Sequence, residues 1–351
     1  MTGDAAGGVW TYCIELARAL APHGVRVTLA TMGPLPTSAQ REEARRIPGL
    51  SLRESAFQLE WMDEPWDDVD RAGAWLLKLE RDLAPDFIHV NGYAHGALPW
   101  RAPVLMAGHS CVLSWWRAVR CEAAPERYRR YRHEVARGLH AARLVVSPTA
   151  AMLSALEVEY GGLKRTAVIP NARTAALFPP QRKQPFIFFA GRLWDEAKNA
   201  RLLDEIAHGL PWPVYAAGDA SHPDGSSKGP VALRALGVRS GAEIADWLGR
   251  ASIYALPARY EPFGLSALEA ALAGCALVLG NIQSLREVWG DAALYADPND
   301  FLAWLHRLNE VIRNDALRAQ LSQAARARAL HYCPHKMAQA YLSAYSVLSR
   351  S

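Results

Sequence analysis

The chain has 351 residues, half of them hydrophobic and 21% charged, which is enough to fill more than one core and excludes a mainly disordered chain. The formal net charge is only +4, from 39 basic and 35 acidic residues, which argues against a dedicated nucleic-acid binder. The most apolar stretch, Ala267 to Gly280, contains Glu269 and is too short to span a bilayer.

In chain order, Met1 to Gly8 is small and polar, without the charged lead-in and apolar core of a secretion signal. Val9, Tyr12, Cys13, Leu16, Ala17 and Leu20 follow the three-four spacing of one helix face, and Gly24 ends that helix. Val25–Ala30 reads as a strand, followed by Phe87–Val90, Val104–Ala107, Leu144–Val146 and Ala167–Ile169, mostly with helical stretches between them. The rhythm pauses over 173–185, where Pro179, Pro180 and Pro185 flank Gln181 to Gln184, and this segment reads as a linker. It restarts with Phe186–Ala190, Val214–Ala217, Ser252–Leu256 and Leu277–Leu279. Alternation of this kind predicts two doubly wound α/β domains, one over 1–172 and one over 186–334. The apolar series Met337, Ala340, Tyr341, Ala344 and Leu348 predicts a closing helix within 335–351. One element is missing from this reading. A doubly wound domain opens on a central strand, and Met1 to Ala6 holds no strong strand former, so the first strand is expected to be absent from the chain, the alternative being that Gly7-Gly8 is not the turn it resembles.

The five cysteines (Cys13, Cys111, Cys121, Cys275, Cys333) are odd in number, with no pair at metal-ligand spacing, as suits a reducing cytoplasm. The chemistry-bearing residues lie elsewhere. Glu261-Pro-Phe-Gly-Leu-Ser-Ala-Leu-Glu269 follows a strand, with Pro262 and Gly264 in a tight loop and a helix from Leu265. Free N–H groups at such a helix start form an anion site. Two carboxylates beside it, Glu261 and Glu269, suit sugar and ribose hydroxyls; the bland alternative pairs Glu269 with Arg259 or Arg286. Gly191-Arg192-Leu193 also follows a strand, and Lys198 comes six residues after Arg192. An arginine fork and a lysine point charge converging there can neutralise a diphosphate without a metal. Gly7-Gly8 opens the first helix and lets backbone approach a phosphate or a sugar, but no dinucleotide fingerprint accompanies it.

Taken in order, these segments resemble the family 4 glycosyltransferases of GT-B type. The resemblance rests on Gly7-Gly8, Leu16 to Leu20, His23-Gly24-Val25, Ile169-Pro170-Asn171, Gly191-Arg192-Leu193 with Lys198, and Pro257 to Leu265 with Glu269-Ala270 and Gly274. It implies two Rossmann-like domains facing each other across a deep cleft, with the closing helix packed back on the first. It implies that Arg192 and Lys198 hold the donor diphosphate, that Glu269 takes the ribose, and that Glu261 lies beside the transferred sugar and is needed for catalysis. The backbone of Phe263, Gly264 and Leu265 would hold phosphate and sugar, Gly7 and Gly8 would touch the donor, and His109 would contact the donor sugar. The chain departs from the family pattern at Ala172 and Asn199, where glycine is usual, at Ala258, where serine is usual, and in the single His89 of a strand end that often carries two.

The implied activity is metal-independent, retaining transfer of a sugar from a nucleotide-diphosphate sugar to an acceptor hydroxyl, with no cofactor. A catalytically inactive sugar-nucleotide-binding module and a sugar-nucleotide epimerase or phosphorylase are the alternatives. Ser114-Trp115-Trp116-Arg117 reads equally as an acceptor border or as packing. Asp219, after Gly218 at a strand end, reads either as a neighbour of the nucleotide or as a cap. Arg127, Arg129, Arg130, Arg132 and Arg137 read either as a solvated, partly paired face or as a peripheral contact with anionic membrane at the inner face.

Overall fold

The computed structural model describes residues 1–220 and 230–349. The chain divides into two compact units. The first comprises Met1–Arg117, Cys121–Ala172 and the segment from Pro334 onward; the second comprises Arg173–Cys333 with Ala118–Arg120.

The first unit is built on β1 (Thr2–Asp4), β2 (Val27–Met32), β3 (Leu50–Glu54), β4 (Ile88–Val90), β5 (Val104–Ala107), β6 (Leu144–Ser147) and β7 (Thr166–Val168). The strands pair in parallel as β1-β2-β3 and β4-β5-β6-β7. The expected absence of the first strand is wrong. Thr2, Gly3 and Asp4 pair in register with Ala30, Thr31 and Met32. Against β4, Asn91 takes the place of a ladder: its N–H donates to Thr2 Oγ1 at 2.8 Å and its side-chain amide to the Thr2 carbonyl at 2.6 Å. The middle residue of β1 is glycine because the slot is narrow there. A Cβ on Gly3 would lie 3.0 Å from Leu29 Cδ1 and 3.1 Å from Cys13 Sγ. Neighbours fill the space that larger side chains would need, so tertiary context overrides propensity.

The helix Gly8–Leu20 buries the face read from its spacing, with Tyr12, Cys13, Leu16, Ala17 and Leu20 inside. Gly24 follows it in the left-handed region at φ 73°. The closing helix, Pro334–Ser349, packs against Gly8–Leu20 through Met337, Ala338 and Tyr341. The junction is a buried polar chain rather than pure apolar contact. Tyr12 donates its hydroxyl proton to Tyr341 at 2.6 Å, so His89 Nε2 donates to Tyr12 (3.2 Å) and His89 Nδ1 accepts from Tyr345 (2.7 Å). Burial keeps His89 neutral by pushing its pKa well down. His89 is therefore a packing residue under the closing helix.

The second unit carries one six-stranded parallel sheet, in the order β10-β9-β8-β11-β12-β13. Its strands are β8 (Gln184–Ala190), β9 (Val214–Ala217), β10 (Arg234–Gly237), β11 (Ala251–Leu256), β12 (Ala276–Gly280) and β13 (Leu294–Ala296). β11 and β12 are buried along their whole length, as continuous apolar runs between two helical layers must be. The stretch read as a linker belongs to this body. Phe178 packs into its core, and Lys183 Nζ donates to the carbonyls of Leu248 (3.1 Å) and Ala273 (2.7 Å), at the ends of helices Gly241–Arg250 and Leu265–Leu272.

Candidate functional site

In the second sheet β8, the first strand of the unit, is followed by β9 and β10 on one side and by β11 on the other. The order reverses between β8 and β11, and the crevice outside the carboxyl ends of that pair is where doubly wound sheets bind ligands. β8 leads into Gly191-Arg192, and β11 leads into Pro257 to Glu261.

Asp195 organises the first loop. Its carboxylate pairs with Arg192 Nη2 at 2.7 Å and accepts from the Ala197 N–H at 3.0 Å, while its carbonyl accepts from the N–H of Lys198 at 2.9 Å. Arg192 also lies over the Trp194 ring, 5.1 Å from its centroid, with half of its side chain exposed. Asn199 then sits in the left-handed region at φ 56°, and its amide donates to the carbonyls of Pro257 (3.1 Å) and Pro298 (2.7 Å). The substitution of asparagine for the usual glycine thus keeps the backbone conformation and adds two ties.

The second loop folds onto the first, with the N–H of Arg259 donating to the Ala197 carbonyl at 2.8 Å. Buried Glu261 accepts from the Gly264 N–H at 3.0 Å with one carboxylate oxygen and pairs with Lys198 Nζ through the other. Its backbone carbonyl accepts from the Ser284 hydroxyl. Gly264 holds φ 91° and opens the helix Leu265–Leu272; Phe263 is buried beside it and Leu265 half-buried. Both basic side chains are therefore held by carboxylates, Arg192 by Asp195 and Lys198 by Glu261. Gly218, after β9, closes the rear of the site. Its φ is 147°, and a Cβ there would lie 1.9 Å from the Gly191 carbonyl oxygen. Asp219 enters the same packing through its carbonyl, which accepts from the Leu193 N–H at 2.8 Å.

Glu269 stands in the second turn of Leu265–Leu272, paired with neither Arg259 nor Arg286. Its partner is Arg173, at 2.8 Å. Arg259 donates to Asn299 and Arg286 to Asn281. A recess of about 700 Å³ in this unit lies beside Leu193, Trp194, Asp195, Asn199 and Leu233 and is lined by none of Arg192, Lys198, Glu261 and Glu269. The charged residues at the switch point, rather than that recess, define the candidate site.

In the first unit Gly7 takes φ 87° ahead of the helix Gly8–Leu20, where a Cβ would meet nothing within 4 Å, so glycine serves the backbone angle rather than a shortage of space. His109, past the end of β5, lies edge-on to Tyr12 with ring centroids 4.4 Å apart. Since the Asn91 amide donates to Thr2, its oxygen faces His109 Nε2 at 2.8 Å, and Nε2 must carry the proton. Burial lowers the pKa of His109 to about 4. His109 is thus a neutral imidazole whose Nδ1 is an acceptor.

Two family models match the chain: Glycosyltransferase Family 4 over residues 6–175 and Glycosyl transferases group 1 over residues 228–328. The chain belongs to the family 4 glycosyltransferases. It is 28% identical to the D-inositol 3-phosphate glycosyltransferase of Xylanimonas cellulosilytica, over 98% of this chain and 92% of that protein. It is 26% identical to a glycogen synthase of Mycobacterium tuberculosis, over 92% of this chain and 86% of that one. Among solved structures it is similar to Anabaena HepE in complex with UDP and glucose, with a TM-score of 0.79 at 16% identity, covering 99% of this chain and 100% of that one. A sucrose-phosphate synthase from Thermosynechococcus elongatus gives 0.79 at 17% identity, covering 99% and 95%. The fold is GT-B, and the enzyme is a glycosyltransferase.

Sequence reasoning missed Asp195, Ser284 and Arg173. An aspartate three residues past Arg192 was a readable cue for an ion pair; Ser284 and Arg173 are remote in sequence from the groups they hold. The basic face, read either as solvated and partly paired or as a membrane contact, is largely paired: Arg129 with Glu126 (3.2 Å), Arg130 with Asp70 (3.6 Å), Arg132 with Glu159 (3.7 Å) and Arg137 with Glu134 (2.6 Å). Arg127 lies over the Tyr128 ring. Trp115 and Trp116 are half-buried and meet edge to face at 5.8 Å. Among the described residues no helix is long and apolar enough to cross a membrane.

Proposed function

We propose that this glycosyltransferase is a metal-independent, retaining enzyme that moves a sugar from a nucleotide-diphosphate sugar to an acceptor hydroxyl. The observation that carries the proposal is the gathering of Arg192, Lys198, Glu261 and the start of Leu265–Leu272 at the β8/β11 switch point. As the bond from the anomeric carbon to the phosphate oxygen breaks, negative charge grows on the departing diphosphate. Two fixed cations and a helix start stabilise that charge more than they stabilise the ground state, which is the requirement for lowering the barrier. Asp195 and Glu261 hold the cations in place beforehand, so little reorganisation accompanies the step. A carboxylate at Glu269 suits the ribose hydroxyls, and the neutral His109 of the first unit has an Nδ1 acceptor suited to a sugar hydroxyl. Retention follows from attack on the same face as departure, with the leaving phosphate taking the acceptor proton. The solved HepE complex with UDP and glucose supports a nucleoside diphosphate as the leaving group.

Product anomers are read by proton NMR after turnover in excess EDTA, with nucleotide-diphosphate sugars and polyol or glycan acceptors. Retained configuration and undiminished rate are expected. An inverted product discards the mechanism, and loss of rate restored by magnesium or manganese discards the charge argument. Arg192→Ala and Lys198→Ala each lose a charge-assisted contact, about 1.5–3 kcal/mol, more of it in kcat than in donor binding.

A further inference from the structure

We infer that Arg173 is a positioning residue for the donor: it orients the Glu269 carboxylate that takes the ribose hydroxyls. The inference rests on the proposed function and assigns a role to a residue in a segment that reads, from sequence, as a linker.

Arg173 opens the long segment, Arg173–Cys333, of the second unit. Its Nε lies 2.8 Å from Glu269 Oε1 in an ion pair whose Nε–H is not aligned as a hydrogen bond, and the two side chains are only 14% and 15% exposed. One contact of the backbone and one of the guanidinium hold Arg173 in place. The Arg173 N–H donates to the Tyr332 carbonyl at 3.2 Å, near the point where the chain leaves this unit. The guanidinium lies over the Phe178 ring, 5.0 Å from its centroid, and Phe178 is anchored in the core. Tyr332 in turn packs edge-on against Phe263 of the Glu261–Leu265 loop, with centroids 5.5 Å apart, and donates its hydroxyl proton to the Val288 carbonyl at 2.9 Å. The entering and leaving segments thus meet at one point and touch the donor site at two, Glu269 and Phe263.

A glutamate side chain pays rotamer entropy when a ligand fixes it. An arginine already held by stacking and by its own backbone removes part of that cost in advance. Each carboxylate oxygen accepts more than one hydrogen bond, so engagement by Arg173 is compatible with ribose hydroxyl donors on the same group. Lysine carries the charge without the planar fork or the stacking, and restores the function only in part.

The test is calorimetric titration of the full chain with UDP, GDP and ADP, followed by the 2′,3′-dideoxy form of whichever binds. If none binds the unaltered chain, the donor reading fails, and this inference with it. Where one binds, Arg173→Met is expected to weaken it about five- to tenfold, to leave the dideoxy form unchanged, and to cost nothing further in a Glu269→Gln background. Arg173→Lys, the gentler change if methionine impairs folding, is expected to show a smaller loss of the same kind. Equal weakening of both nucleotide forms, an unchanged affinity in the variants, or full additivity with Glu269→Gln overturns the inference while leaving the donor reading intact.

Discussion

Replacing Glu261 by glutamine separates two jobs that one carboxylate performs. The amide oxygen can still accept from the Gly264 N–H, now at 3.0 Å, so the loop geometry survives. The amide cannot neutralise Lys198, which is paired with Glu261 through the other oxygen. Lys198 then presents an uncompensated charge to a diphosphate. A carboxylate about 5 Å from the phosphate oxygens across the ammonium repels a unit charge by roughly 3 kcal/mol at an effective dielectric of 20 and roughly 0.8 at that of water. With Glu261 buried and Lys198 partly exposed, an intermediate value of about 2 kcal/mol is appropriate, or roughly thirtyfold tighter binding of the nucleoside diphosphate. Turnover should move the other way. A carboxylate beside the transferred sugar stabilises the positive charge that develops on it, and loss of about 2.7 kcal/mol there is about a hundredfold in kcat. Titration calorimetry and steady-state kinetics on one preparation read both. Glu261→Ala, which also orphans the Gly264 N–H, should lose turnover without the gain in binding. A glutamine variant with weaker nucleotide binding and intact kcat would refute the reasoning on both counts.

Gly218→Ala should reduce donor affinity more than tenfold, because relief of the 1.9 Å contact must move the Gly191 carbonyl and with it Arg192. Gly237→Ala, at φ 71° with open space, measures the cost of the backbone angle alone, and equal effects of the two changes would reject the steric account. Lys183→Met should destabilise the chain by roughly 3 kcal/mol in urea unfolding, since two helix-end carbonyls lose a charged donor worth about 1.5–3 kcal/mol each; an unchanged midpoint would show that water replaces it freely. Three histidines of the first unit, His89, His95 and His109, have pKa values lowered by burial, His109 to about 4. The unfolded chain therefore binds more protons below about pH 6.5, so stability is full above that pH and falls as pH drops, by up to about 1.4 kcal/mol per pH unit for each histidine. Melting temperatures equal at pH 7 and pH 5 would contradict this.

Where the physics is local, residue order alone was enough. The apolar runs of β11 and β12 are legible because a strand buried on both faces can carry little else. The helix Gly8–Leu20 is legible because its buried face repeats at helical spacing. Arg192, Lys198 and Glu261 are legible because each follows a readable strand within a few residues, and the topology of such a sheet sends those loops to one end. The edge strands β3, β10 and β13 went unread; they are short or half-exposed, so their patterns carry little of the burial signal.

Tertiary structure decided whatever depends on a partner distant in sequence. Thr2–Asp4 is a strand because β2 and Asn91 complete its hydrogen bonds, and Gly3 stands there because Leu29 and Cys13 crowd the place of a side chain. Asn199 replaces glycine because carbonyls from Pro257 and Pro298 anchor it in a left-handed turn. His89, which reads as a strand-end residue, is buried because Tyr341 and Tyr345 arrive from about 250 residues away. Glu269 found Arg173 rather than the arginines nearer in sequence, because the segment that reads as a linker packs through Phe178 into the core and delivers the guanidinium to the helix. An ion pair is chosen by distance in space, and sequence separation measures that distance only within an element.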